Sequence, residues 1–182
     1  MTPMTDRLHI LVSAEELSAI TSRLAAEIDR DYADHPRMIL LGILKGSILF
    51  MSDLMRKMKT VCEIDFMKVS SYGRGVRSST GEVQVILDLF REDIRQYDVL
   101  IVEDIVDSGR TLTFLTRYLL DKGAKSVRSC VLLDKPSRRE VPYIPDYVGT
   151  VIPDEFVLGY GLDYDEKYRN LPYVAAVDQS KN

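Results

Sequence analysis

Hydrophobic and polar positions divide the chain into short apolar runs separated by stretches of helical periodicity. Met38–Leu44, Val99–Val102 and Val127–Leu133 are apolar at nearly every position, as expected of strands covered on both faces. Leu17, Ile20, Leu24 and Ile28 recur at helical spacing behind the capping-box pattern Ser13-Ala14-Glu15-Glu16, so a helix is expected to run to about Tyr32. A second helix follows Lys45-Gly46-Ser47, with Ile48, Met51, Met55 and Met58 on one face that reads as core. A third carries Leu112, Leu115 and Leu119 and stops at Gly123, which suits the left-handed position after a helix. Val61–Val69 reads as a strand, with Cys62, Ile64 and Phe66 on one side and Glu63 and Asp65 on the other. Val83–Leu89 continues as a strand, and Val148–Val151, Phe156–Leu158 and Tyr173–Val177 read as short ones.

Strands alternating with helices predict an α/β fold with a doubly wound, mostly parallel central sheet. The first helix and the last strands fall outside that alternation and predict a small cap, or hood. A single domain is expected, with a core at about residues 36–150 and a cap from about 1–35 and 151–182.

Composition narrows the class. A chain of 182 residues is long enough to bury a core, and 46% hydrophobic with 29% charged residues is a globular balance. A net charge of −4 argues against a protein that coats nucleic acid. Cys62 and Cys130 lack metal-ligand spacing and sit in apolar segments, which reads as buried thiols in a reducing cytoplasm. No apolar run is long enough to span a bilayer, and the first is too short for a signal peptide, so a soluble intracellular chain is expected.

Candidate chemistry gathers in Asp98–Thr113, DVLIVEDIVDSGRTLT. Its apolar start puts Glu103, Asp104 and Asp107 at the carboxyl end of a central strand, where open α/β sheets bind ligands. Adjacent carboxylates are costly to hold together unless a cation or hydroxyl donors face them, so Mg²⁺ and a sugar are the apt partners. Ser108-Gly109-Arg110-Thr111 then opens a helix as a short anion cradle, without the Gly-x-x-x-x-Gly-Lys pattern of a P-loop. The Gly- and Ser-rich stretch Ser70–Glu82 cannot pack as core and reads as a binding loop.

The stretch VLIVEDIVDSGRTL resembles the 5-phosphoribosyl 1-diphosphate signature of the type I phosphoribosyltransferases, most of all their hypoxanthine/guanine branch. Leu44-Lys45-Gly46 resembles that branch's first diphosphate loop, and Ser71-Tyr72 the start of its mobile loop. Leu133-Asp134-Lys135 resembles its base-reading segment. Pro153–Tyr164 followed by Arg169 resembles its C-terminal base and diphosphate site. The resemblance implies transfer of ribose 5-phosphate from the diphosphate donor to a 6-oxopurine, through an oxocarbenium-like transition state.

It also implies roles. Glu103 and Asp104 would hold the ribose hydroxyls and Mg²⁺, and Asp163 a second Mg²⁺. Asp107 would be the general base at purine N7. Ser108, Gly109, Arg110 and Thr111 would seat the 5′-phosphate, Arg110 through its backbone only. Lys45 and Gly46 would meet the diphosphate beside a cis Leu44–Lys45 peptide, and Arg169 would grip it. Lys135 would donate to the 6-oxo oxygen, Phe156 stack on the ring, and Val157 offer backbone groups to the base. A homodimer or homotetramer, with no nucleic-acid or membrane partner, is implied too. Taken singly, Phe156 reads as core and Arg169 as a surface partner of Asp165 or Glu166, and the bland reading of Lys135 is an ordinary exposed lysine; the ordered set reverses those readings. Two neighbouring functions share the pattern. RNA-binding pyrimidine-operon attenuation proteins have the same fold but need a basic face. An enzyme preferring xanthine differs where backbone atoms read the base, and an adenine enzyme would want an acceptor where Lys135 can only donate.

Overall fold

The computed structural model describes residues 8–71 and 83–177. In chain order the elements are β1 (Leu8–Val12), α1 (Ala14–Asp31), β2 (Met38–Ile43), α2 (Ile48–Lys57), β3 (Glu63–Ser71), β4 (Val83–Leu87), β5 (Asp98–Val106), α3 (Arg110–Asp121), β6 (Ser126–Asp134), β7 (Tyr147–Val151), β8 (Val157–Leu158) and β9 (Val174–Val177). The main sheet has the order β4-β3-β2-β5-β6-β7, and β2, β3, β5, β6 and β7 are parallel. Only β4 runs against its neighbour, β3. Period-two alternation along the buried strands divides the core. Met38, Leu40, Leu100 and Val102 face α1 and α2, while Ile39, Leu41, Val99 and Ile101 face Leu112, Leu115 and Leu119 of α3.

From β2 the chain winds through α2 to β3 on one side, and from β5 through α3 to β6 on the other. The winding therefore reverses between β2 and β5, which are paired from Met38↔Asp98 to Gly42↔Val102. Their carboxyl ends flank the crevice where doubly wound sheets bind ligands.

Ser13 caps α1 as its sequence predicts, accepting from Glu16 N–H at 3.2 Å while the Glu16 carboxylate takes Ser13 N–H at 2.7 Å. Gly123, at φ 93°, ends α3, and Ala124 N–H reaches back to the Leu119 carbonyl at 3.0 Å.

Two sequence readings change. The periodicity assigns α1 to the cap, yet α1 packs on α2 and β7 and lends Leu17, Leu24 and Ile28 to the main core. The separate layer is a three-stranded antiparallel sheet, β1-β9-β8, whose Val157, Val174 and Ala176 belong to that same core. On α2 the buried residues are Phe50, Met51 and Leu54; Ile48 and Met55 are exposed, because α1 covers a face rotated from the one that spacing suggests. Of the two thiols, Cys130 is buried and Cys62 half-buried.

At the amino ends of the strands, Asp98 is 1% exposed. It accepts from His35 Nδ1 at 2.8 Å, Lys125 Nζ at 3.1 Å and Ser126 Oγ at 2.6 Å, tying the end of α1 to β5 and β6. Burial pushes its pKa up, but the bonds from Ser126, His35 and Lys125 outweigh it and leave the carboxyl below its ordinary value. A depressed folded-state pKa gives stability that is present above the unfolded pKa, about 3.9, and lost as pH falls through the folded value. Asp98→Asn is expected to lower the unfolding free energy by about 2 kcal/mol at pH 7. The gap to the parent should narrow by pH 3, as urea titrations at the two pH values would read.

Candidate active site

Four loops converge at the carboxyl edge of the sheet. After β2, Leu44–Lys45 is a cis peptide, as the resemblance implies, and Ser47 Oγ donates to the Ile43 carbonyl at 2.6 Å to tighten the turn into α2. Gly46 packs without room for a side chain: a Cβ there would lie 1.6 Å from Asp104 Oδ2. Gly161, at φ 101°, packs on Gly46 in turn, since its Cβ would lie 2.0 Å from the Gly46 carbonyl oxygen. The turn after β2 thus lies against the Asp104 side chain at the acidic end of β5, and touches the loop after β8 backbone to backbone.

Glu103 and Asp104 lie near the carboxyl end of strand β5. Glu103 Oε2 is buried with no hydrogen-bond partner, and burial, then the Asp104 charge, pushes the Glu103 pKa well above the usual carboxylate range. Asp104 is 9% exposed, and its pKa is pushed up to about 6. Burial is the main cause and Asp163 adds to it, against the Ile105 N–H bond at 2.8 Å and the Arg169 charge. Two carboxylates held this way invite a cation or hydroxyl donors.

Beyond them, Asp107 is exposed and Gly109 takes φ 82° as the residue before α3. Ser108 Oγ accepts from Arg110 N–H at 3.3 Å. Glu103, Ile105, Val106, Asp107, Ser108, Gly109, Thr111 and Leu112 line a cavity of about 90 Å³ at the α3 N-terminus, where unpaired N–H groups favour an anion. The Arg110 guanidinium turns away to Glu140, at 2.6 Å. A larger cavity, about 300 Å³, lies among Arg37, Arg91, Asp93, Gln96 and Tyr97 at the opposite edge of the sheet, away from these groups.

Lys135 is not an exposed lysine. It is 7% exposed, and its Nζ donates to the Glu155 carbonyl at 2.5 Å. Phe156 is not core either: it is 43% exposed, edge-on to Tyr164 with ring centres 5.6 Å apart. Val157 is buried in β8, the outer strand of the small sheet, so one edge of its backbone is unpaired within that sheet. Arg169 Nη2 lies 2.8 Å from Asp163 Oδ1 and 3.3 Å from Glu166, its Nη1 donates to the Gly161 carbonyl at 2.8 Å, and its buried Nε has no partner. Glu166 also holds Lys45 at 2.7 Å, which keeps its carboxyl below the usual range.

Lys45, Gly46, Asp104, Asp163 and Arg169 therefore form one connected group, and Glu103, Asp107, Ser108, Gly109 and Thr111 surround the cavity beside it. Ser71 ends β3, paired with Val83, and Tyr72 lies outside the described residues. Sequence reasoning missed Arg138 and Arg139; it carried Gly161 only within the Pro153–Tyr164 segment, and Glu166 only as a surface partner of Arg169, without its bond to Lys45. Arg139 Nη1 donates to the Asp107 carbonyl at 2.7 Å and its Nη2 meets Asp134 at 2.5 Å. The paired arginines just past Lys135-Pro136 were the available signal.

A family model described as phosphoribosyl transferase domain matches residues 11–165. A hypoxanthine phosphoribosyltransferase of Salmonella typhimurium is 47% identical over 175 residues, 96% of this chain and 97% of that one. A hypoxanthine-guanine phosphoribosyltransferase of Staphylococcus epidermidis is 48% identical over 172 residues, 94% of each. The crystal structure of a hypoxanthine phosphoribosyltransferase from Staphylococcus aureus superposes with a TM-score of 0.88 at 47% identity, covering 96% of this chain and 94% of that one. A doubly wound sheet, an acid-ended central strand opening into an anion cradle, and near full-length similarity agree: the chain belongs to the phosphoribosyl transferase family.

Proposed function

We propose that the protein transfers 5-phosphoribose from 5-phosphoribosyl 1-diphosphate to a 6-oxopurine, hypoxanthine or guanine, in purine salvage. The observation that carries this is the nearly buried Lys135 ammonium, a donor-only cation held on the Glu155 carbonyl, with the half-exposed Phe156 ring following in sequence. Purine N9 attacks ribose C1 as the bond to diphosphate breaks, and the N7 proton passes to Asp107. Ser108, Gly109 and Thr111, with the α3 N-terminus, take the 5′-phosphate. Lys45, Gly46 and Arg169 take the diphosphate. Lys135 donates to O6, Phe156 stacks, and Val157 reads the base edge through its backbone.

Mg²⁺ fits the donor set. Among the described residues no three metal-binding side chains form a ready-made cage. Mg²⁺ usually takes one or two carboxylates together with substrate phosphates, and the unpartnered Glu103 oxygen, Asp104 and Asp163 are such groups. When bound, the ion would neutralise charge on the leaving diphosphate. Among the described residues no helix is long and apolar enough to cross a membrane, and the free thiols Cys62 and Cys130 support a cytoplasmic location. The exposed Ile48 and Met55 on α2, next to the Lys45 turn, support self-association as a dimer or tetramer.

The test is diphosphate release from hypoxanthine, guanine, xanthine and adenine, with and without Mg²⁺, beside RNA filter binding. Turnover with hypoxanthine or guanine is expected. RNA binding without diphosphate release would sink the enzyme reading, and xanthine as the best acceptor would move the specificity. Lys135→Gln is expected to lower kcat/KM for hypoxanthine about 10- to 100-fold, the worth of one charged hydrogen bond, with the donor KM barely changed.

A further inference from the structure

We propose that Arg138 is a positioning residue that couples the carboxylate of Asp107 to the segment carrying the base-facing side chains; this rests on the reading of Asp107 as the general base. Arg138 closes the single 3-10 turn Pro136–Arg138, which starts directly after Lys135, and its N–H donates to the Lys135 carbonyl at 3.1 Å. Its Nε stands between two carboxylates from different parts of the chain, 3.3 Å from Asp154 Oδ1 and 3.6 Å from Asp107 Oδ1. The same short turn grips the Asp154–Glu155 segment a second time, through Lys135 Nζ on the Glu155 carbonyl. Phe156 follows immediately in sequence. One turn therefore ties the loop that carries Asp107 to the segment before β8 that presents the purine-facing ring.

The backbone of the Asp107 loop is held separately. Arg139 donates to the Asp107 carbonyl at 2.7 Å, and the Glu140 and Val141 N–H groups both donate to the Ser108 carbonyl, at 2.9 and 3.2 Å. With the main chain fixed, the torsions of the Asp107 side chain are what remain to be set, and Arg138 is the cation placed to set them. A separation of 3.6 Å is an ion-pair distance, longer than a hydrogen bond, so it orients the carboxylate without occupying its lone pairs. Those lone pairs stay available to accept a proton. All three side chains are about half exposed, so the pairs add little to folding stability. Their effect falls on geometry, to which proton transfer is steeply sensitive.

The experiment compares Arg138→Gln, Arg138→Lys, Asp154→Asn and the double variant R138Q/D154N by steady-state kinetics and thermal melting, with Asp107→Asn as reference. Arg138→Gln is expected to lower kcat about tenfold, with the donor KM within twofold and the melting temperature unchanged. Arg138→Lys should recover at least half of the loss. Asp154→Asn should lower kcat less, and the double variant should be no worse than Arg138→Gln alone, since the bridge is already broken. An unchanged kcat in Arg138→Gln, losses that multiply in the double variant, or a loss that tracks melting temperature would each overturn the coupling. If Asp107→Asn collapses turnover while Arg138→Gln does not, only the coupling fails; if Asp107→Asn turns over normally, the assignment of the base fails with it.

Discussion

Asp107→Asn is expected to lower kcat by about a hundredfold or more while the donor still binds, because a positioned general base contributes on the order of 10²–10⁴. The substitution keeps the shape of the side chain and removes its capacity to take a proton, which under the proposed function is the purine N7 proton. Nothing in the donor site should respond: the α3 N-terminus, Ser108 and the Gly46 turn do not depend on the Asp107 carboxylate, and the Asp107 main chain is fixed by Arg139 at its carbonyl. Pre-steady-state turnover alongside isothermal titration of the donor would separate the two effects. Lost donor affinity with turnover per bound donor intact would contradict the assignment.

Gly46→Ala should do the reverse and strike donor binding first. The new methyl would overlap Asp104, whose Oδ2 lies 1.6 Å from the Cβ position and whose Cγ lies 2.6 Å away. Relief requires moving either a buried carboxylate or a turn that is itself pressed by Gly161. Donor affinity is expected to fall about a hundredfold, equivalent to about 2.7 kcal/mol. Gly42→Ala supplies the comparison, since its Cβ would meet the flexible end of Met51 at 2.4 Å in the core. That variant should lose melting temperature and keep donor affinity. Equal donor affinity in Gly46→Ala and the parent protein would refute the packing account.

The central strands were legible in the sequence because a strand buried on both faces has to be apolar at every position, and the cap of α1 because its reciprocal hydrogen bonds are local. The direction of β4 was not, since period-two alternation is the same for parallel and antiparallel neighbours. The face of α2 was not either, because which residues are covered depends on where α1 lands. In the site, the acids and the anion cradle are contiguous in the chain and could be read together. Gly161, Glu166, Arg138 and Arg139 act across long sequence separations, where only the folded geometry shows that Gly46 faces Asp104 and Arg138 faces Asp107. The environments of Lys135 and Phe156 run against residue-type expectation, a lysine buried and a phenylalanine exposed, and departures of that kind gather where a chain is shaped by more than folding.

The contact between Gly46 and Gly161 sets a limit on how this protein can change over time. The two positions are 115 residues apart, yet the Gly46 carbonyl oxygen fills the space that a Cβ at Gly161 would need, and Asp104 Oδ2 fills the space that one at Gly46 would need. Gly46 cannot accept alanine while Asp104 holds its place, nor Gly161 while the Gly46 turn does, and Gly161 is further restricted by its φ of 101°. Substitution at one cannot be compensated by substitution at the other, because glycine is already the smallest residue and nothing remains to be trimmed. The pair therefore resists substitution from either side, and a side chain can be exchanged far more readily on the exposed helix surfaces than at the point where the two loops touch.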